Sequence, residues 1–186
     1  VIDGNDGADH LDGGEGYDTI YGGLGNDTIL GSAGLDVLYG DDGADDLNGG
    51  SEVDSLYGGL GDDVLTGEGG SDWLRGEGDN DVLYGGASAD KLFGGDGDDT
   101  LYGGADRDKL TGDAGADVFA FQTGDGVDDI LDFEFGVDKI DLSSLGLAFD
   151  DLVIRYWGTP SILAADLTIY VNSAAPETLT EADFIL

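Results

Sequence analysis

The sequence predicts an all-β solenoid, a flattened right-handed coil with two parallel sheets, and three observations carry that expectation. A nine-residue unit recurs thirteen times in phase between Gly4 and Ala120. Its first position is glycine and its sixth is aspartate in every copy. Its eighth is Leu, Ile or Phe each time, from Leu11 to Phe119. A short in-phase period means stacked, nearly identical turns instead of one globular core.

Each unit divides into a six-residue loop of the form GGxGxD and a three-residue strand with an apolar centre, as in GGEGYDTIY from Gly13 or GGDGDDTLY from Gly94. Glycine at positions 1, 2 and 4 is expected to supply positive φ and close backbone approach, curling the loop inward. Alternation along the strand sends position 8 to one face and positions 7 and 9 to the other. Two units then make one turn of 18 residues, and opposed Leu and Ile side chains fill a narrow interior. Val1, Ile2 and Asp3 fit positions 7 to 9 of a preceding unit, and the chain contains no Met, so it reads as the C-terminal piece of something longer. The expected division is a repeat coil over residues 1–120 and a capping β segment over residues 121–186.

Charge sets the function class. The chain holds 42 acidic residues against six basic ones, a formal net charge of −36. Of these, 29 acids and four bases lie in residues 1–120, leaving −25 there and −11 in the rest. Such a polyanion repels nucleic acid and anionic membrane surfaces. Its natural counterion is a hard cation, because an aspartate recurring beside glycine-bent backbone places oxygen ligands at regular intervals. One buried Leu or Ile per nine residues offsets little of the entropy lost in ordering a glycine-rich segment. Stacked carboxylates add repulsion, so the cation-free chain is expected to be largely unfolded and binding free energy becomes folding free energy. There is no Cys, hence neither a disulfide framework nor a thiolate site. No apolar run is long enough to span a bilayer, and no signal peptide is evident at the N-terminus.

The pattern GGxGxDxUx, with U a large apolar residue, resembles the nonapeptide of RTX (repeats-in-toxin) hemolysin-type proteins. That resemblance implies a parallel β-roll that binds Ca2+ between each loop and the loop one full turn on. The aspartates it assigns as ligands are Asp9, Asp18, Asp27, Asp36, Asp45, Asp54, Asp63, Asp72, Asp81, Asp90, Asp99, Asp108 and Asp117. The backbone carbonyls it assigns come from glycine-rich positions. In order along the chain these are Gly4 and Gly7, then Gly13, Gly14 and Gly16, then Gly22, Gly23 and Gly25. They continue through Gly31, Gly34, Gly40 and Gly43 to Gly58, Gly59 and Gly61. The last are Gly67, Gly70, Gly94, Gly95, Gly97, Gly112 and Gly115. The loops fall into a column of seven starting at Gly4 and a column of six starting at Gly13, which gives about eleven gaps for cations. Position 4 departs from glycine at Glu52, Asp79, Ser88 and Asp106. The loop 49–54, with Glu52 followed by β-branched Val53, is expected to be the most distorted. The gap between the loops at Gly85 and Gly103 is expected to be weakly occupied.

Position 9 on one sheet reads Tyr21, Tyr39, Tyr57, Arg75, Phe93 and Thr111, with Trp73 beside it at position 7. A stacking ladder on an outward face accounts for the column, and a platform for a glycan or partner protein is the alternative. After Phe119 the period breaks. Residues 121–142 contain strand-like stretches at 130–133 and 139–142 and resemble the cap that follows such repeats in secreted exoproteins. Asp125, Asp128 and Asp129 are expected to be surface acids, with one more cation site as the alternative. Further strands are expected over 152–157 and 167–171, separated by a loop with Pro160. The ending TLTEADFIL, with Asp183 before Phe184, Ile185 and Leu186, resembles a type I secretion signal, and a final edge strand gives the same residues.

The function expected is that of a secreted bacterial calcium-binding module that folds on meeting calcium and assists type I secretion and folding of a larger exoprotein. A glycan- or partner-binding adhesin module, or the non-catalytic tail of a secreted protease, lipase or epimerase, is the alternative. His10 is the one histidine, and with no Cys, no HExxH and no P-loop lysine motif the chain offers no catalytic set. An EF-hand fails too, because no loop carries glutamate at its twelfth position.

Overall fold

Position 8 decides the inside of the coil. From Ile20 to Phe119 every position-8 side chain is fully buried, forming one continuous apolar core. Ile2 and Leu11, in the first turn, are partly buried against it. The structure is a computed structural model describing residues 1–148, 150, 153–155, 161–164, 167–171 and 178–186.

The strands stack in two sheets, and the chain alternates between them. Odd-numbered strands of the repeats form one sheet: β1 (Ile2–Asp6), β3 (Thr19–Leu24), β5 (Val37–Asp42), β7 (Ser55–Leu60), β9 (Trp73–Gly78), β11 (Lys91–Asp96) and β13 (Lys109–Ala114). Even-numbered strands form the other: β2 (His10–Glu15), β4 (Thr28–Ala33), β6 (Asp46–Ser51), β8 (Val64–Gly69), β10 (Val82–Ala87), β12 (Thr100–Ala105) and β14 (Val118–Ala120). Every pairing among them is parallel, and the register between consecutive turns of β2 to β13 is 18 residues, as in Leu38↔Leu56 and Leu47↔Leu65. The result is a parallel β-roll of about eight turns with almost no helix.

The strands are longer than the sequence pattern suggests. Pairing runs through positions 7 to 9 and on into positions 2 and 3 of the next unit, as in Tyr39↔Tyr57, Asp41↔Gly59 and Asp42↔Leu60. The loop proper is therefore positions 4 to 6. Backbone hydrogen bonds between turns close even that segment: the position-4 amide of Gly25 donates to Asp42 O at 2.8 Å, and the position-7 amide of Asp46 donates to Asp27 O at 2.9 Å.

The period stops at Ala120, but the coil does not. Strand β15 (Val127–Ile130) pairs parallel with β13, and β16 (Lys139–Asp141) with β14. These correspond to the stretches expected at 130–133 and 139–142, the first lying three residues earlier. Beyond them the two sheets end differently. On β15 sits β19 (Leu167–Val171), parallel, followed by β18 (Ser161–Ala164) and β17 (Val153–Arg155), both antiparallel. On β16 sits only β20 (Phe184–Ile185). Of the strand expected over 152–157, residues 152, 156 and 157 lie outside the described residues, as does Pro160. Antiparallel additions and a very short terminal strand leave little open edge for another chain to pair with.

Because one side chain per unit carries the core, its loss is felt locally. Leu74 lies at the centre of β9 between Leu56 and Leu92. Leu74→Ala should cost about 2–5 kcal/mol in a urea melt at saturating calcium. A loss below about 1 kcal/mol would mean that the interior collapses around the gap.

Candidate metal centres

Each position-6 aspartate ends its loop just before a strand whose next-but-one residue is anchored in the core. This fixes its side chain inward, and from Asp27 to Asp117 these aspartates are 2 % exposed or less. They form a ladder. The backbone N–H of each donates to Oδ1 of the aspartate one turn on, in eleven bonds of 2.7–3.0 Å from Asp9→Asp27 to Asp99→Asp117.

The second oxygen has no such partner. Oδ2 of Asp9, Asp27, Asp36, Asp45, Asp54, Asp63, Asp72, Asp81, Asp90, Asp99 and Asp108 is buried and accepts no hydrogen bond. A buried ionised oxygen without a donor costs several kcal/mol unless a charge meets it. Among the described residues the one side-chain ion pair is Arg107–Asp129 at 2.8 Å, so no basic side chain neutralises the ladder.

Glycine at position 1 belongs to this site for the close approach expected of it and not for positive φ. None of these glycines has a positive φ, whereas those at positions 2 and 4 do. At position 1 space is what matters. A Cβ on Gly31 would lie 2.5 Å from Gly49 O and 2.8 Å from Asp36 Oδ2. The same pair of atoms, a carbonyl oxygen from the next turn and Oδ2 of the aspartate in the same loop, crowds Gly4, Gly13, Gly22, Gly40, Gly58 and Gly67. It also crowds Gly94, while at Gly112 the carboxylate alone does. A carboxylate oxygen and a backbone carbonyl oxygen therefore converge on a cradle that any side chain would fill. No three acidic or imidazole side chains gather at one point among the described residues, so backbone oxygens must complete a cation's shell. The donor set is hard and all-oxygen, which fits Ca2+ held by the position-6 carboxylates and glycine-loop carbonyls.

The glycines expected at position 2 (Gly14, Gly23, Gly59 and Gly95) and position 4 (Gly7, Gly16, Gly25, Gly34, Gly43, Gly61, Gly70, Gly97 and Gly115) all adopt positive φ. At position 4 glycine takes φ of 116–157°, beyond the ordinary left-handed region. Glu52, Asp79, Ser88 and Asp106 instead take 72–82°, so each substituted loop bends differently. Glu52, at 72°, stands no farther out than the other three. Its carboxylate turns back to accept Gly34 N–H at 3.2 Å, and Asp79 does the same for Gly61. Between the Gly85 and Gly103 loops the ladder is unbroken, with Asp90 N–H donating to Asp108 Oδ1 at 2.8 Å.

A second ladder escaped the sequence reading. At position 5 of the seven-loop column, Asn26, Asp62, Asn80 and Asp98 each accept a backbone N–H from the turn above at 2.8–3.2 Å. Asn or Asp recurring there at multiples of 18 residues was the available signal. On the outer face, Tyr21, Tyr39 and Tyr57 stack with centroids 4.9 Å apart and nearly parallel rings. Trp73 stacks on Phe93 at 5.2 Å, and Arg75 lies over Phe93. Both faces of Tyr39 are thus covered by neighbouring rings, the geometry of a stacking ladder. Tyr84 and Tyr102 form a similar pair on the other sheet.

Burial, opposed by the ladder hydrogen bonds and reinforced by like charge in neighbouring turns, holds these carboxyls far above the usual aspartate range. Asp81 and Asp90 are pushed up to about 8, Asp54, Asp63 and Asp117 to about 7, and Asp99 and Asp108 to about 6. The metal-free roll therefore binds more protons than the unfolded chain, and its stability falls with rising pH. That contribution is fully present below the unfolded value of 3.8 and is lost as pH climbs through about 6 to 8. In EDTA, the far-UV β signal should be stronger near about pH 5 than near about pH 8.5. Equal or weaker signal at the lower pH would show that burying ionised carboxylates is not what opposes folding.

A family model described as the RTX calcium-binding nonapeptide repeat (4 copies) matches residues 3–38, 21–56, 48–83, 57–92, 84–119 and 93–131. No curated protein matches the chain. Among solved structures, it is similar to the extracellular lipase LipA from Serratia marcescens at 17% identity and a TM-score of 0.38, over 90% of this chain and 40% of the lipase chain. It is also similar to the AlgE6R3 subunit of the mannuronan C5-epimerase from Azotobacter vinelandii at 18% identity and a TM-score of 0.29, over 92% of this chain and 78% of that one. The chain thus spans less than half the length of the lipase chain it matches. His10 is an exposed residue at the start of β2, and the repeats form a structural solenoid, not a catalytic fold. The match over residues 3–131, on the same units whose aspartates form the ladder, settles the family: this chain belongs to the RTX calcium-binding nonapeptide repeat proteins.

Proposed function

We propose that this chain is an extracellular module that stays unfolded where calcium is scarce, folds as calcium fills its loops, and so assists type I secretion and folding of a larger exoprotein. The observation that carries this reading is the column of buried carboxylate oxygens without donors. Without cations, folding must bury like charges against one another. With about eleven dications, the repeat part moves from −25 to about −3, and repulsion ceases to oppose the fold. Extracellular calcium modules bind at about 10⁻⁴–10⁻³ M, far above cytosolic calcium, so the same chain is unfolded on one side of a membrane and folded on the other. Folding outside then blocks return through a narrow channel. Each aspartate inside a column lies between two gaps, so filling one gap lowers the repulsion at the next and the transition is cooperative.

The C-terminal residues support a signal that is read before folding. In the folded chain Asp183 Oδ1 accepts Gly136 N–H at 3.2 Å, and its Oδ2 accepts the N–H and hydroxyl of Thr180. Phe184 enters the core. Asp183 and Phe184 are thus presented to a receptor only in the unfolded chain, while Ile185 and Leu186 stay exposed in the folded one.

Far-UV CD during a calcium titration at neutral pH should pass from disordered to β-rich in one steep transition near about 10⁻⁴–10⁻³ M. A chain already β-rich in chelator would sink the mechanism. Removing residues 184–186 should abolish export while calcium-induced folding of the roll persists, and undiminished export would assign those residues to the cap alone.

A further inference from the structure

The carboxylate ladder runs past the last in-phase unit. Residues 123–131 repeat the end of the pattern out of step: Gly126, Asp128 and Ile130 correspond to positions 4, 6 and 8, but Asp128 follows Asp117 by eleven residues instead of nine. The extra length is taken up outside the stack, where Thr123 and Gly124 are exposed and a Cβ on Gly124 would meet nothing. The chain then rejoins the register, with Lys109↔Asp129 and Leu110↔Ile130. Gly126 sits on Asp106 as each position-4 glycine sits on the turn below, so that a Cβ there would strike Asp106 O.

Asp128 consequently lies over Asp108. It is 0% exposed, and not the surface acid expected from sequence. Its Oδ1 accepts Asp108 N–H at 2.9 Å, the same rung as in the repeats. Its Oδ2 is buried and unpartnered, and so is that of Asp108 below it. Asp129, its neighbour, is taken up by Arg107 in a paired hydrogen bond. The other column ends differently. Asp138 occupies the equivalent place over Asp117, accepting its N–H at 3.1 Å, and is 2% exposed. Its Oδ2, however, accepts Glu134 N–H at 2.7 Å, which leaves neither of its oxygens without a donor.

We propose that Asp108 and Asp128 hold one further calcium ion at the join between roll and cap, outside the nonapeptide frame, and that Asp138 holds none. This rests on the reading that calcium fills the ladder. The join site has a consequence the repeat sites lack. Gly126 O accepts Thr168 N–H at 3.0 Å, and β15 pairs with β19 along its whole length, so an ion fixing the loop before Asp128 also fixes the seat of the cap.

Native mass spectrometry at saturating calcium, which resolves individual bound ions, tests the proposal on the full chain. Asp128→Asn keeps an oxygen to accept Asp108 N–H but removes the charge, and it should lower the maximum count by one. Asp138→Asn, equally buried, should leave the count unchanged. Hydrogen exchange gives a second readout: in Asp128→Asn the amides of β19 should lose protection while those of β5 keep it. An unchanged count in Asp128→Asn, or the same loss in Asp138→Asn, overturns the assignment. A wild-type chain that binds no calcium would instead overturn the reading beneath it.

Discussion

Everything in this fold depends on how a column of buried like charges is neutralised. The roll stacks one aspartate per unit directly over the aspartate a turn below, at a spacing that makes one oxygen a good acceptor for backbone N–H and leaves the other with nothing. The first oxygen serves the fold, and the second is the one a bound cation would meet. Neither the thin apolar interior nor the sheets relieve that second oxygen, because one Leu or Ile per unit contributes only transfer energy and ladder hydrogen bonds satisfy only backbone. On the proposed reading, fold and cation binding are therefore one equilibrium seen from two sides.

Glycine at position 1 shows how tightly the two are joined. It has no conformational reason to be glycine; it is glycine because the orphaned oxygen and a carbonyl of the next turn occupy the space where its side chain would go. From sequence this is indistinguishable from the glycines at positions 2 and 4, which are needed for positive φ. Both demands select the same residue, so a one-letter pattern cannot separate them. The same limit applies at position 4, where Glu52 and Asp106 adopt the left-handed angles open to ordinary residues while the glycines go beyond them.

What could be read from sequence was whatever the period repeated: the core at position 8, the acidic ladder at position 6 and the two columns. What could not was whatever broke phase or crossed between distant segments. Asp128 could be named only as one of three acids open to a further cation, because a two-residue insertion absorbed outside the stack takes it out of phase. The Arg107–Asp129 pair joins residues from a repeat and from the cap, and no local pattern announces it. The position-5 ladder was visible in principle, but only by comparing alternate units and not consecutive ones.

The two ends of the columns can be understood from the sheets that carry them. A ladder of aspartates cannot stop anywhere without leaving its last carboxylate buried and half-satisfied. On the nine-stranded sheet the chain solves this within the protein: the turn before β16 brings Glu134 N–H onto Asp138, and a two-residue strand suffices to cover what remains. On the eleven-stranded sheet Asp128 keeps its orphaned oxygen, and the edge above it is built up by β19, β18 and β17. The side with more structure above it is the side where a carboxylate oxygen is left without a donor. The cap is seated on the turn that carries Asp128, through the full-length pairing of β19 with β15, so the end of the ladder and the footing of the cap are one piece of backbone.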